Sequence, residues 1–292
     1  MKNFIKYYYN LLINDFRKID DYFIFDISGI KYKFSPFYGD FDKLYKIYIT
    51  LNRNNKYCHE IVLNKDNYFI TIYDSVPHLL IRYNTNINNK LKIEDIINYD
   101  TIVYSEFELN WKKLWEEKID YYEYQISQLG FKYPVIRNSF SYYIGVSETA
   151  ISLLNYVNVK NIRGYISHNR IKYNENINDF LDPTNIIIDS RIRDISEFIK
   201  LNYLNQSIKT DDVFKILNDI NITYDESILL LSRLIYPSYY FDTYDKIIQG
   251  KIREEKIEMY IRKNAYYEAF IKQIYKYLYN HFRIVEIEWL LN

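Results

Sequence analysis

Gly164-Tyr165-Ile166-Ser167-His168-Asn169-Arg170-Ile171 is followed, seven residues on, by Asn178-Asp179-Phe180-Leu181-Asp182-Pro183-Thr184-Asn185-Ile186-Ile187-Ile188-Asp189-Ser190-Arg191-Ile192-Arg193-Asp194-Ile195-Ser196-Glu197-Phe198. From Asn161 to Arg193 the chain is polar and irregular, with short apolar runs at Tyr165-Ile166 and Ile186-Ile187-Ile188, and no other part of the sequence reads as a long loop. What surrounds this stretch changes character along the chain. Phe4, Ile5, Tyr8, Leu11, Leu12, Phe16 and Ile19 recur at helical spacing and predict a helix over 4–19. Strands are expected at Tyr22–Ile27, Ile30–Phe34, Tyr45–Leu51, His59–Leu63, Tyr68–Tyr73 and His78–Tyr83, with turn residues between them and a hairpin at Asn64–Asn67. Beyond Asn84 the period is helical. Helices are expected at 92–99, 109–129 with Gly130 as the stop, 141–157, 195–201, 211–219, 227–236, 239–249 and 253–281, the last a single long helix. The expected organisation is α+β: a strand-rich part with a leading helix over 1–84, and a helical part over 85–292 that contains the polar segment 161–198.

Composition narrows the function classes. The chain has 292 residues, with 38 Lys+Arg against 38 Asp+Glu. It carries no cationic surplus with which to hold a nucleic acid backbone or an anionic membrane, so neither is an expected partner. No stretch approaches the roughly 18 apolar residues of a membrane span, and the first residues, MKNFIKYYYNLLINDFRK, lack the unbroken apolar run of a signal peptide. The expectation is an unprocessed intracellular protein. A single cysteine, Cys58, excludes an internal disulfide and thiolate zinc modules. The 35 tyrosines invite a reading as a stacking surface for sugars or bases. Tyr, Asn, Ile, Lys and Phe all have AT-rich codons, however, so their joint excess reports genome composition. Tyrosine here replaces Phe and Leu at amphipathic positions, ring inside and hydroxyl at the rim.

The polar segment resembles the catalytic segment of the aminoglycoside phosphotransferase and choline kinase superfamily, and more narrowly the kinase-like spore coat proteins of spore-forming Firmicutes. In that superfamily an apolar strand leads into a His-Gly-Asp loop, an Asp-Phe dipeptide binds metal, and an Asp opens a helix reading Asp-Leu-Ala. Ile166-Ser167-His168, Asp179-Phe180 and Asp194-Ile195-Ser196 match these elements, and Ser141–Gly145 with Glu148 resembles the helix that precedes the loop. The resemblance implies a protein-kinase-like fold with a small strand-rich N-terminal lobe and a larger helical C-terminal lobe. It also implies ATP and Mg²⁺ as cofactors if nucleotide binding is kept.

The departures carry the functional reading. With His168 on the motif His, Asn169 falls on Gly and Arg170 on the catalytic Asp. The Asp orients the attacking hydroxyl and accepts its proton. An arginine accepts none. This register implies a pseudokinase with a binding or assembly role among protein partners, within the spore coat if the narrower resemblance holds. The competing reading is an active phosphotransferase on a small-molecule or protein hydroxyl. The metal ligand is Asp179 or Asp189, since either could offer a hard carboxylate oxygen. The plain alternative makes Asp182-Pro183 and Asp189-Ser190 ordinary turns and Asp194 an N-cap. In the strand-rich part Lys33, within Gly29–Phe34, stands where the superfamily's lysine meets the α- and β-phosphates, although Lys31 shares its face and only Gly29 precedes it. Glu60 is the candidate ion-pair partner of Lys33, and Pro77–Ile81 the strand whose backbone would face adenine. His59, His78 and His281 have no metal-ligand spacing, and no hydrolase motif is present. A third reading remains: an unrelated α+β domain.

Overall fold

A computed structural model describes residues 1–54, 56, 58–84, 89–103 and 107–291. In chain order the elements are α1 (Lys2–Tyr9), β1 (Arg17–Ile19), β2 (Tyr22–Ile27), β3 (Ile30–Pro36), α2 (Phe41–Arg53), β4 (Glu60–Val62), β5 (Ile70–Tyr73), β6 (Val76–Arg82) and α3 (Ile93–Tyr99). They continue with α4 (Trp111–Leu129), α5 (Pro134–Leu153), β7 (Tyr165–His168), α6 (Ile177–Phe180), β8 (Ile186–Asp189), α7 (Ile192–Leu204), α8 (Thr210–Asp219), α9 (Tyr224–Ile235), α10 (Ser238–Ile248), α11 (Glu258–Ile261), α12 (Asn264–Phe282) and α13 (Glu288–Leu291). They fall into two compact units: residues 1–105 with 165–189, and residues 106–164 with 190–292. Residues 165–189 thus cluster with the strand-rich stretch, not with the helices that flank them in sequence. Backbone bonds explain this: Ile166 N–H donates to Thr101 O, Leu91 to Glu175, Ile177 to Asn89 and His59 to Leu181.

The first unit is built on an antiparallel sheet in the order β1-β2-β3-β6-β4, with β5 also on β6. Phe23 and Phe25 on β2 alternate inward with Tyr32 and Phe34 on β3, as a half-buried ladder requires. The β2–β3 turn places Ser28 and Gly29 at positive φ, the two-residue geometry that matches strand twist, and Asp26 Oδ1 accepts from Gly29 N–H. Four expectations are corrected here. The leading helix stops at Tyr9 because Asn10 turns left-handed with its N–H on Lys6 O, and Arg17–Ile19 is a strand. The segment 45–51 is not a strand but the core of α2. Its Tyr, Ile and Thr residues favour strands, yet Leu44, Ile47 and Leu51 bury one helical face, and Asp40 caps the first turn by accepting from Lys43 N–H. Asp40→Ala should lower stability by about 1 kcal/mol in urea unfolding. Asn64–Asn67 is a turn, with the Asn64 side chain accepting from Asp66 and Tyr68 N–H, but its arms do not pair. Both arms pair instead with β6, β4 on Leu80–Arg82 and β5 on Val76–Leu79. Finally, the polar segment holds an antiparallel pair, β7 with β8.

The second unit is helical. α9 packs against α5, α7 and α12 and is buried along almost all of its length, which makes it the central helix. The expected helix over 253–281 is broken: a 3-10 turn and α11 precede α12. Tyrosines supply much of the packing, with Tyr143 on Tyr240 at 3.6 Å between ring centroids and Trp115 on Tyr236 at 4.1 Å. Tyr143, Tyr240, Tyr244 and Tyr275 are fully buried, deeper than a rim position. Three of these hydroxyls find partners inside: Tyr143 on Asn264 Oδ1 at 2.8 Å, Tyr240 with Ser139 Oγ at 2.9 Å and Tyr275 on Val285 O at 3.2 Å.

Candidate functional site

The β7–β8 pair carries the candidate site, and every group described next belongs to the first unit. β7 ends at His168, opposite Ile186. The imidazole is buried and stacks on Phe180, 3.8 Å between centroids, with Tyr99 against both rings. The loop that leaves β7 is closed by Asn185, which precedes β8. Asn185 Oδ1 accepts from Arg170 N–H at 3.2 Å, its Nδ2 donates to Arg170 O at 2.8 Å, and its own carbonyl accepts from Asn169 N–H at 2.7 Å. Position 170 is therefore held at both its N–H and its C=O by one side chain. Residues 169–185 between the strands are ordered by local caps: Asn176 Oδ1 accepts from Asn178 N–H to start α6, and Glu175 Oε2 accepts from Lys172 N–H. Burial raises the Glu175 carboxyl above its ordinary range, against the lowering effect of that backbone bond.

Lys33, on β3, points to Asp182. Its Nζ lies 2.7 Å from Asp182 Oδ2, with the two side chains 18% and 8% exposed, and 5.0 Å from the Tyr22 ring centroid. The other carboxylate oxygen of Asp182 accepts from Thr184 N–H at 2.9 Å and from Thr184 Oγ1 at 2.6 Å, capping the 3-10 turn Pro183–Asn185. Both oxygens of Asp182 are thus committed. Glu60 is not the partner of Lys33: it pairs with Arg82 at 2.5 Å on a half-open surface. Nor does α2 offer one, because its only acidic residue is Asp42 in the first turn. Asp182 is felt around it. Burial, and then the Asp182 charge, push the Cys58 thiol up to about 12, which leaves it unreactive, and raise the Tyr83 hydroxyl in the same way. His59 is buried and donates from Nε2 to Asn178 O at 2.9 Å; burial lowers its pKa although Asp182 opposes the shift.

The remaining predicted residues separate. Asp179 is exposed on α6, and its charge acts on His59 and Tyr83 as that of Asp182 does. Asp189 ends β8 opposite Tyr165, about 13 Å of strand rise from Asn185. Asp194 lies buried in the first turn of α7, in the second unit. Pro77–Ile81 is the middle of β6, and its backbone is engaged by β3 on one side and by β5 and β4 on the other. That strand has no free edge for adenine. Among the described residues no three His, Cys, Asp or Glu side chains gather around a point where a cation could sit. The arrangement fits a magnesium nucleotide poorly. Its lysine and the nearest buried carboxylate already neutralise each other, and the two candidate metal carboxylates stand at different ends of the β7–β8 region. Reading the sequence had missed Asp182 and Asn185 as site residues. An Asp-Pro pair opening a tight turn is an N-cap signature, which gave a local role for Asp182 but no hint of Lys33.

Residues 2–274 match the family described as "Spore coat putative kinase YutH". The chain belongs to that family. No curated protein matches it in sequence. Among solved structures it is similar to an aminoglycoside phosphotransferase from Alicyclobacillus acidocaldarius, with a TM-score of 0.68 and 9% identity over 93% of this chain and 94% of that one. It is also similar to the AMP-bound spectinomycin phosphotransferase APH(9)-Ia, with a TM-score of 0.60 and 11% identity over 94% and 93%. A third neighbour is the choline kinase LicA from Streptococcus pneumoniae, with a TM-score of 0.50 and 12% identity over 96% and 97%. Identities this low carry the fold alone. That fold is protein-kinase-like, with a strand-rich N-terminal part and a larger helical C-terminal part, and no described helix is long and apolar enough to cross a membrane.

Proposed function

We propose that this member of the spore coat kinase-like family is a pseudokinase, which acts by binding protein partners in the assembling coat and not by transferring phosphate. The observation that carries the reading is position 170. In the register that sets His168 on the motif histidine, Arg170 falls on the superfamily's proton acceptor, and Asn185 holds the Arg170 backbone from both sides. A guanidinium stays protonated at any working pH and cannot take a proton from an attacking hydroxyl. The commitment of Lys33 to Asp182 supports the same reading, since phosphoryl transfer depends on cations held ready for the phosphates.

Calorimetric titration with Mg²⁺-ATP tests it. The expected result is no saturable binding at millimolar nucleotide and no phosphate release, and Arg170→Asp alone is expected to create no turnover because Lys33 stays engaged. Saturable Mg²⁺-dependent binding by the parent, abolished by Asp179→Ala or Asp189→Ala and accompanied by phosphate transfer, would favour the active phosphotransferase.

A further inference from the structure

In the first unit Lys33, which the superfamily resemblance sets at the phosphate-meeting position, has the Asp182 carboxylate seated on it. We propose that Asp182 is a built-in occupant of the phosphate site: its carboxylate takes the place of a nucleotide phosphate on Lys33 and so excludes ATP from this lobe. The proposal rests on the reading of the chain as a kinase fold without turnover, and it assigns the exclusion to one side chain.

Three observations carry it. The contact is short and largely buried, at 2.7 Å with side-chain exposures of 18% and 8%, unlike the surface pair Glu60–Arg82 at 37% and 43%. A pair withdrawn from water is screened little by salt and is lost only if both charges find other partners. The carboxylate is also immobilised. Thr184 N–H and Oγ1 hold Oδ1 while Oδ2 faces Lys33, so the side chain cannot swing away without uncapping the Pro183–Asn185 turn. Finally, no carboxylate on α2 is placed to take the lysine and free the site, because the helix offers only Asp42 in its exposed first turn. An incoming triphosphate would meet a neutralised lysine with a fixed negative charge beside it, and like charges at such range repel.

The test removes the charge and keeps the cap. Asparagine caps as well as aspartate, so Asp182→Asn should fold, and its thermal melt against the parent checks this. Titrated with Mg²⁺-ATP and separately with inorganic tripolyphosphate, Asp182→Asn is expected to bind at least roughly tenfold tighter than the parent. Adding Lys33→Met should erase the gain. A folded Asp182→Asn that binds no tighter, or a gain that survives Lys33→Met, would overturn the proposal. If Asp182→Asn does not fold, Asp182→Ser, which also caps, is read in the same way. A measurement on the parent is independent of any variant: reductive methylation of Lys33, followed by mass spectrometry, should proceed at the same rate with and without millimolar Mg²⁺-ATP, and protection by the nucleotide would sink the idea. The two readings fail differently. A parent that transfers phosphate removes the pseudokinase, whereas an unchanged affinity in folded Asp182→Asn removes only the role of Asp182.

Discussion

Glu197→Ala should be the most damaging single substitution in the helical unit, lowering its stability by about 3–5 kcal/mol, equivalent to a fall of about 10 °C in Tm. Glu197 on α7 is the carboxylate of a buried network. Its Oε1 accepts from Arg233 Nε at 3.1 Å and from Lys200 Nζ at 3.3 Å, and the three side chains are 11%, 5% and 0% exposed. Lys200 donates its other two protons to Tyr236 O at 2.9 Å and Ser238 Oγ at 3.1 Å, at the corner where α9 gives way to α10 across Pro237, so all three donors are spent. The Arg233 guanidinium lies 4.7 Å from the Trp111 ring centroid and 6.0 Å from that of Trp115. Removing Glu197 would leave two cations in a dry interior with no carboxylate between them. Lys200→Met is expected to be milder, at about 1–3 kcal/mol, because it removes a charge and leaves a carbonyl and a hydroxyl short of one donor. Urea unfolding of the two variants checks the order. A Glu197→Ala loss under about 1 kcal/mol would mean that the network does not hold the unit.

The second large effect is alkaline collapse. Burial raises the hydroxyl pKa of Tyr9 and Tyr240 to about 12, and raises those of Tyr143, Tyr239 and Tyr267 as well. In the unfolded chain each would ionise near 10. Between the unfolded and folded values the folded state binds more protons, so stability falls as pH rises, by about 1.4 kcal/mol per pH unit for each such group. Lys200 works the other way. Burial holds its amine down to about 8 against 10.5 when unfolded. Between pH 8 and 10.5 the unfolded state binds the extra proton, and stability rises. Lys200 is opposed by these tyrosines, by Tyr83 and by Cys58, whose thiol burial pushes from 9.0 up to about 12, so the profile is flat from about pH 8 to 9 and then falls steeply. Urea midpoints across this range should show that shape, with phenolate absorbance appearing in one cooperative step as the helical circular dichroism disappears. A gradual phenolate titration centred near 10 with the dichroism intact would refute it.

How much of this was legible residue by residue varies with the range of the forces involved. The β2–β3 ladder was legible, because inward Phe23, Phe25, Tyr32 and Phe34 alternate with outward positions and Ser28-Gly29 supplies the turn. α8 announced itself through Asp211 and Asp212 in its first turn, where Asp212 Oδ2 accepts from Lys209 N–H. α2 did not. Its central residues have strand propensity, and only burial of one helical face, Leu44 against Ile61 and Leu79 with Ile47 and Leu51 beside it, selects the helix. The break before α12 and the left-handed Asn10 were hidden for a similar reason, since the periodic pattern runs on past both.

The candidate site divides along the same line. His168, the arginine at position 170 and the Asp-Pro turn are local features, and the order of residues is enough to find them. Which carboxylate meets Lys33 is another matter. Asp182 lies 149 residues away along the chain, with Glu60, Asp179 and Asp189 as equally plausible acids by type. Capping and periodicity act over a turn or two of backbone and are written in neighbouring residues. An ion pair forms only where the fold brings two distant side chains within a few ångströms and shields them from water, and that choice belongs to the tertiary bonds and packing that fix residues 165–189 in the first unit.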